Sequence, residues 1–311
     1  MHDEKTLMAE VATLYYEKNY TQQQIAQLLQ LSRQTVSRLL TDAVREKVVQ
    51  FVIRDPQSHC TDLENRLAEA FGLRSCKVCS VSHNAPTVQL LMTVKAAVSY
   101  LLPILQTGGL KIGLSWGRTV QALIDALPQV TTQGNTVFPL FGATDTENAC
   151  FASNELARGL ADKLGAQVKN AWFPYLAETP QEHAALQQLS YYRNMQALWG
   201  SADLAILGIG NTQVLDSFGR TFGYSSRHSC AIGDIATHFF DAQGNFVELY
   251  PHSLCASAEN IRRAGNAVAI ACGTDKAQAI VGALRTGTVH TLITDEYTAR
   301  EVCRLLESEK A

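Results

Sequence analysis

The stretch from Thr21 to Lys47, TQQQIAQLLQLSRQTVSRLLTDAVREK, decides the architecture of the N-terminal part of the chain. Thr21 and Gln24 form a T-x-x-Q capping box: the threonine hydroxyl accepts the amide three residues on, and the glutamine reaches back to the cap amide. A short helix therefore opens at Thr21, with Ile25, Ala26 and Leu29 on one face, and ends near Gln30. Ser32 caps the next helix, in which Val36, Leu39, Leu40, Ala43 and Val44 follow the i, i+3, i+4, i+7, i+8 spacing of a buried stripe. Two short helices joined by a tight turn make a helix-turn-helix. The exposed face of its second helix carries Arg33, Gln34, Ser37 and Arg38 near the N-terminus, where a recognition helix meets base edges. Arginine pairs with guanine O6 and N7, and glutamine with adenine N6 and N7. The hydroxyls of Ser32, Thr35 and Ser37 suit phosphates, and Thr21 and Gln22 stand where the DNA backbone passes. The same pattern also fits a three-helix interaction module with a solvated polar face. One such unit binds DNA weakly, so a dimer or tetramer reading paired half-sites is expected.

Upstream, Leu7, Met8, Val11, Leu14 and Tyr15 predict an amphipathic helix from Glu4 to Lys18, with a break at Asn19-Tyr20. Downstream, VVQFVI (Val48–Ile53) reads as a strand, and Arg54–Ser58 as a polar linker in which Pro56 biases Asp55 away from helix. The expected domains are therefore 1–55, binding DNA, and 56–311. A helix from Thr61 to Phe71, stopped by Gly72, opens the second. Beyond it, strand-like runs at Lys77–Val81, Leu110–Leu114, Thr136–Leu140, Val168–Phe173, Leu204–Gly208, Ala267–Cys272 and Thr291–Thr294 alternate with helix-like stretches. The latter are Thr87–Leu102, Thr119–Ala126, Ser153–Leu164, His183–Trp199, Lys276–Arg285 and Glu296–Leu306. Continuous apolar strands between helices predict an α/β domain with a mainly parallel sheet.

Composition sets the class. The 311 residues suggest two domains, and 46% hydrophobic with only 18% charged residues argues for a large core and against disorder. The net charge of −3 excludes a bulk cationic coat for nucleic acid. It is unevenly spread: from Thr21 to Arg54 five basic residues face two acids, a local +3. No secretory signal is expected from MHDEKTLMAEV, and no membrane span, because Leu90–Leu105 is short and holds Lys95 and Pro103. The eight cysteines then read as reduced thiols of a cytoplasmic protein. Cys76 and Cys79 form a lone C-x-x-C in a strand, without the second pair a zinc site needs, which leaves a structural or a redox reading. The histidines include no i, i+4 pair, and no metal or cofactor is expected.

The chemistry of the second domain lies in loops after strands. Gly113-Leu114-Ser115-Trp116-Gly117-Arg118 matches the G-x-S-x-G nucleophile elbow, which would want Asp234 or Asp241 and His252 or His290 as partners of Ser115. It equally suits an anion cradle of amides, a hydroxyl and Arg118, or a tight turn without a ligand. Gly142-Ala143-Thr144-Asp145 offers amides and a hydroxyl. Gly208-Ile209-Gly210-Asn211 fails as a dinucleotide fingerprint because Gln213 replaces the third glycine, and reads as a close-approach loop. Asp234 is placed to hold sugar hydroxyls or to cap a helix. Gly273-Thr274-Asp275-Lys276 puts a cation in a first helical turn, where the dipole disfavours it unless an anion binds, so Lys276 reads as a phosphate ligand or as a plain surface lysine. These groups suit a small polyol or its phosphate.

Together these stretches resemble the SorC/DeoR family of sugar-binding transcriptional regulators over nearly the whole chain. The resemblance is carried by LYYEKNYTQQQIAQLLQLSRQTVSRLLTDAVREK, GLSWGRTV, the LGIG loop, AIGDIATHFFDAQGN and GTDKAQAIVGALRTGTVHTLITDEYTAREV. It implies a winged helix-turn-helix joined to a larger effector domain related to sugar-phosphate isomerases and deaminases. It also implies tetramers whose operator binding is altered by a sugar or sugar phosphate. It supports Ser32 to Arg38 as the recognition helix. It also supports an effector pocket built from Ser115, Trp116, Gly117, Arg118, Gly142, Ala143, Thr144, Gly210, Asn211, Asp234, Gly273 and Lys276. The alternatives are a sugar-phosphate isomerase or a serine hydrolase using Ser115. The absence of lysine between Lys111 and Lys163 denies the GAT loop a Schiff base.

Overall fold

The computed structural model describes residues 2–49, 60–144, 152–211 and 230–309. The linker Arg54–Ser58, Asp145, Gln213 and the expected strand Val48–Ile53 beyond Val49 lie outside them, and Val48 and Val49 themselves form a bend. The chain divides into two compact units, Met1–Gln57 and Ser58–Ala311.

In the first unit α1 (His2–Ala12) continues as a π-helical turn (Thr13–Glu17), followed by α2 (Gln22–Leu28) and α3 (Arg33–Arg45). The first helix was expected to run unbroken to Lys18, but it widens after Ala12. Its core is Met8, Val11, Ala12, Ile25, Ala26, Val36, Leu39, Leu40 and Ala43. Val44, expected in the buried stripe, is 41% exposed. Gln30 takes a left-handed φ of 54°, which lets the Leu31 amide return to Ala26 O at 2.9 Å and turns the chain sharply between α2 and α3.

The second unit is built on a sheet whose parallel strands lie in the order β1-β10-β9-β5-β2-β3-β4. They are β1 (Ser75–Cys79), β2 (Lys111–Leu114), β3 (Thr136–Pro139), β4 (Gln167–Val168), β5 (Leu204–Asn211), β9 (Asn266–Ile270) and β10 (Thr291–Asp295). Ile206, Leu207, Val268, Ile270, Leu292 and Ile293 are wholly buried, each contributing about 1.5–3 kcal/mol, which is why these runs do not alternate. From β2 the chain steps outward through β3 to β4, then returns to β5 and steps the other way through β9 to β10. The β2–β5 boundary is therefore the point where the winding reverses. Three short antiparallel strands absent from the sequence reading, β6 (Gly233–Ile235), β7 (His238–Phe240) and β8 (Phe246–Val247), extend from the C-terminal half of β5. They are too short for a period to register.

Other bounds shift for local reasons. Val168–Phe173 is a strand only at Gln167–Val168, because Asn154 captures the backbone of Ala171 and draws the chain off the sheet. His183–Trp199 is two helices, Pro180–Gln187 and Ser190–Trp199, parted by extended Leu189. The helix Pro86–Leu105 is longer than Leu90–Leu105 and is long and apolar enough to cross a membrane, yet Val94, Ala97, Leu101 and Leu105 are buried in the core. Cys76 and Cys79 sit buried in β1, and burial pushes both thiols up to about 12, far from the thiolate that redox chemistry requires.

Candidate functional site

The helix-turn-helix forms as its capping residues dictate. Gln24 N–H donates to Thr21 Oγ1 at 3.3 Å, and Thr21 N–H donates to Gln24 Oε1 at 2.9 Å. Thr35 N–H donates to Ser32 Oγ at 3.0 Å, and the two hydroxyls meet at 2.8 Å. These bonds start α3 at Arg33. Val36, Leu39 and Leu40 face the core while Arg33, Gln34, Ser37 and Arg38 are exposed together. Asp42 pairs with Arg45 at 2.8 Å, and Glu46 lies 3.6 Å from the same guanidinium. Both acids of the segment thus lie at the far end of α3, around Arg45. Neither Arg33 nor Arg38 forms an ion pair with another described residue, so the leading end of α3 is positive.

In the second unit, Trp116, Gly117, Arg118, Thr119, Gly208, Ile209, Gly210, Asp234 and Lys276 enclose a pocket of about 50 Å³. It stands beyond the carboxyl end of β2 and along the outer part of β5, where the winding reverses and open α/β sheets bind ligands. Gly117 adopts φ 112° to cap the helix Arg118–Ala126. At Gly208 a Cβ would lie 2.9 Å from Trp116 O, so only glycine lets β5 pass beneath this loop. The Gly208–Asn211 segment, expected as a loop, is strand: β5 continues to Asn211 and pairs with β6, setting Gly210 opposite Asp234.

Asp234 is the central group. It lies in β6, which rules out the helix-cap reading, and is 1% exposed. Its Oδ2 accepts from Trp116 Nε1 at 3.2 Å, while Oδ1 is buried without a hydrogen-bond partner. Burial raises its pKa to about 6 against the opposing pull of the Trp116 bond, the Thr237 backbone amide and the Lys276 charge. Lys276 Nζ donates to Ile209 O at 3.0 Å; burial lowers its pKa, and the nearby Arg118 charge pushes the same way. Trp116 is held from behind by Phe141 and Tyr175, with ring centroids at 4.9 and 6.3 Å.

Not every expected residue meets here. Ser115 is 1% exposed and its Oγ makes no hydrogen bond to any described histidine. His290 precedes β10, at the opposite ends of the strands, where its Nδ1 accepts from Ala267 N–H, and the His252 ring lies 5.8 Å from that of His183. Among the described residues no histidine is assembled with Ser115 into a catalytic triad. The amides of Gly142 and Ala143 are already spent on Leu254 O and Phe173 O, and neither residue, nor Thr144, lines the pocket. Asn211 Nδ2 bonds Asp275 Oδ2 at 3.1 Å, and Gly273 N–H bonds Thr298 Oγ1 at 2.8 Å. Both support the Lys276 loop rather than face the pocket.

Thr119, Gly208 and Ile209 in the lining, and the network behind Gly273, were missed. In that network Asp295, wholly buried, accepts from Gln89 Nε2 and from the amides of Tyr297 and Thr298. Its signal was present as a D-x-x-T cap opening the last helix.

Residues 55–304 match the family model described as "Putative sugar-binding domain", and residues 7–46 match "Sigma-70, region 4". The chain is 30% identical over 307 residues to the sorbitol operon regulator of Klebsiella pneumoniae, covering 96% of this chain and 97% of that protein. It is 28% identical over 304 residues to the erythritol catabolism regulatory protein EryD of Brucella abortus (strain 2308), covering 95% of each. Among solved structures, the full-length sorbitol operon regulator SorC of Klebsiella pneumoniae superposes with a TM-score of 0.70 at 29% identity, over 96% of this chain and 98% of that one.

Proposed function

The chain belongs to the SorC/DeoR-type family of sugar-binding transcriptional regulators, and on that premise we propose how its two units divide the work. It is a DNA-binding regulator whose operator binding answers to a sugar effector, and its relatives are regulators rather than enzymes. In the first unit Arg33, Gln34, Ser37 and Arg38 read base edges in the major groove, while Thr21, Gln22, Ser32 and Thr35 contact phosphates. In the second, the pocket at the winding reversal takes the effector.

The observation that carries this is Asp234, buried with one carboxylate oxygen unpartnered, in the same pocket as Lys276 and Arg118. An unpaired buried acceptor is costly alone and is matched by a polyol hydroxyl. Lys276 and Arg118 take a phosphate where the effector bears one. The pocket's volume of about 50 Å³ is far below the ~300 Å³ or more of ordinary ligand sites. Effector entry therefore requires Lys276 to exchange Ile209 O for the ligand and the lining to move outward. A ligand that binds only the opened form shifts the population of conformers. That shift alters how subunits pair and space their recognition helices. The exposure of Leu91 (65%), Trp172 (64%) and Tyr191 (59%) supports subunit contacts, and the assembly proposed is a tetramer working in the cytoplasm.

The test is a thermal-shift screen of the full chain against free sugars, polyols and their phosphates. A compound that binds raises the melting temperature by mass action. Asp234→Asn should abolish the response to every hit, and Lys276→Ala only the response to phosphorylated ones. A hit equally strong on both variants refutes this pocket.

A further inference from the structure

A concave surface of about 830 Å³ opens on the first unit beside the recognition helix. It is lined by Tyr15, Tyr16, Asn19, Tyr20, Gln23 and Arg33 together with Thr21 and Gln22. Of these only Arg33, Thr21 and Gln22 have a part in the DNA reading above.

The π-helical turn creates it. Ala12 is 5% exposed, and a continuing α-helix would bring Tyr16, four residues on, to the same buried side. The turn Thr13–Glu17 instead closes its ring with Lys18 N–H on Thr13 O at 3.1 Å. Asn19 then takes a left-handed φ of 56°, a region uncommon outside glycine, and Tyr20 N–H returns to Leu14 O at 3.0 Å. Tyr16 and Tyr20 are left 39% and 42% exposed, and the backbone bond holds Tyr20 next to the capping Thr21. Such π-turns gather at functional sites.

The lining identifies the occupant by its chemistry. Phenol hydroxyls, carboxamides and a guanidinium form it, and no carboxylate is among them. These are the side chains that bond phosphate and sugar oxygens of DNA. Arg33 belongs to both this surface and the leading end of α3, so the two are continuous. With α3 in a major groove, α2 ahead of it crosses the DNA backbone, and Tyr20 stands next to its cap, Thr21. We infer that Tyr16, Tyr20, Asn19 and Gln23 grip the sugar-phosphate backbone beside the half-site, the two tyrosine hydroxyls donating to phosphate oxygens.

This rests on the DNA-binding reading but fails separately from it. The experiment measures binding of the full chain to two duplexes, one selected by the wild-type protein from a random pool and one unselected. Tyr16→Phe with Tyr20→Phe should lose about ten- to a hundredfold on both duplexes alike. The ratio between duplexes should hold, and so should the slope of affinity against salt, because neutral donors release no counterions. Arg33→Ala with Arg38→Ala should instead reduce both the ratio and the slope. Phenylalanine in place of exposed tyrosine should leave the melting temperature unchanged. If it does not, Gln23→Ala, an exposed side chain, should show the same uniform loss. Wild-type affinity in the tyrosine variant overturns the inference, as does a loss confined to the selected duplex. Unchanged binding in the arginine variant as well overturns the DNA reading itself.

Discussion

Asp234→Asn should make the effector-free protein more stable above about pH 6, and not below about pH 4. The carboxyl is wholly buried, and burial lifts its pKa from 3.8 to about 6. A folded value above the unfolded one means that the protonated form contributes stability. That contribution is fully present below pH 3.8 and is lost as pH rises through about 6. The interval is worth about 3 kcal/mol at 1.36 kcal/mol per pH unit. An asparagine carries no charge to desolvate, and its carbonyl can still accept from Trp116 Nε1. At pH 8 the variant should therefore gain about 2–3 kcal/mol, a rise in Tm of roughly 5 °C or more for a unit of this size. Near pH 4 the gain should vanish. The assay is thermal and urea unfolding of wild type and variant across pH 4–8, followed by tryptophan fluorescence. Equal stability at pH 8, or a gain that does not shrink on acidification, would refute the claim that this pocket holds a carboxylate whose burial outweighs the Trp116 bond, the Thr237 amide and the Lys276 charge. The stored cost has a functional sense, since sites built for a ligand are commonly stabilised when their polar groups are removed.

Other substitutions test the supports of the two sites. Thr298→Val removes the 2.8 Å acceptor of the buried Gly273 amide, leaving it only the longer 3.4 Å bond to Asp295 Oδ2, and takes a hydroxyl donor from Asp295, so urea unfolding should show a loss of about 1–3 kcal/mol, and calorimetric titration a weakened effector response. Gly208→Ala drives a methyl to 2.9 Å from Trp116 O, so it should displace the Ser115–Gly117 turn and abolish effector binding in the thermal-shift screen, while gel-shift affinity without effector is retained. Ser32→Ala removes the cap of α3 and should cost about 1 kcal/mol in the first unit, seen as an earlier helical melting phase by circular dichroism.

The parts legible in the sequence were those with local causes. The Thr21–Gln24 box, the Ser32 cap and the stripe of Val36, Leu39 and Leu40 depend on residues a few positions apart, and they form as their spacing requires. The parallel strands were legible as uninterrupted apolar runs, although not their order. The sheet's reversal between β2 and β5 brings Arg118, Gly210, Asp234 and Lys276 to one pocket from four separate stretches, and no local pattern records that. Gly142 and Ala143 carried a convincing loop signal, but their amides were claimed by Leu254 and Phe173, partners distant or ambiguous in sequence. The π-turn was illegible for a related reason. Tyr15 continues the helical spacing of Leu7 and Val11, and only the backbone closure at Asn19 and Tyr20 turns the tyrosines outward.

The central claim is that the pocket around Asp234 and Lys276 governs the DNA affinity of the helix that begins at Arg33. The most direct measurement is the binding of the full chain to a duplex selected by the wild-type protein, titrated with each sugar or sugar phosphate that shifts its melting temperature. At least one compound should change wild-type affinity by about tenfold or more, a coupling of ~1.4 kcal/mol, and leave Asp234→Asn unchanged while that variant still binds the duplex. An effector that shifts the variant as strongly as the wild type, or duplex binding that no pocket ligand alters, would contradict it.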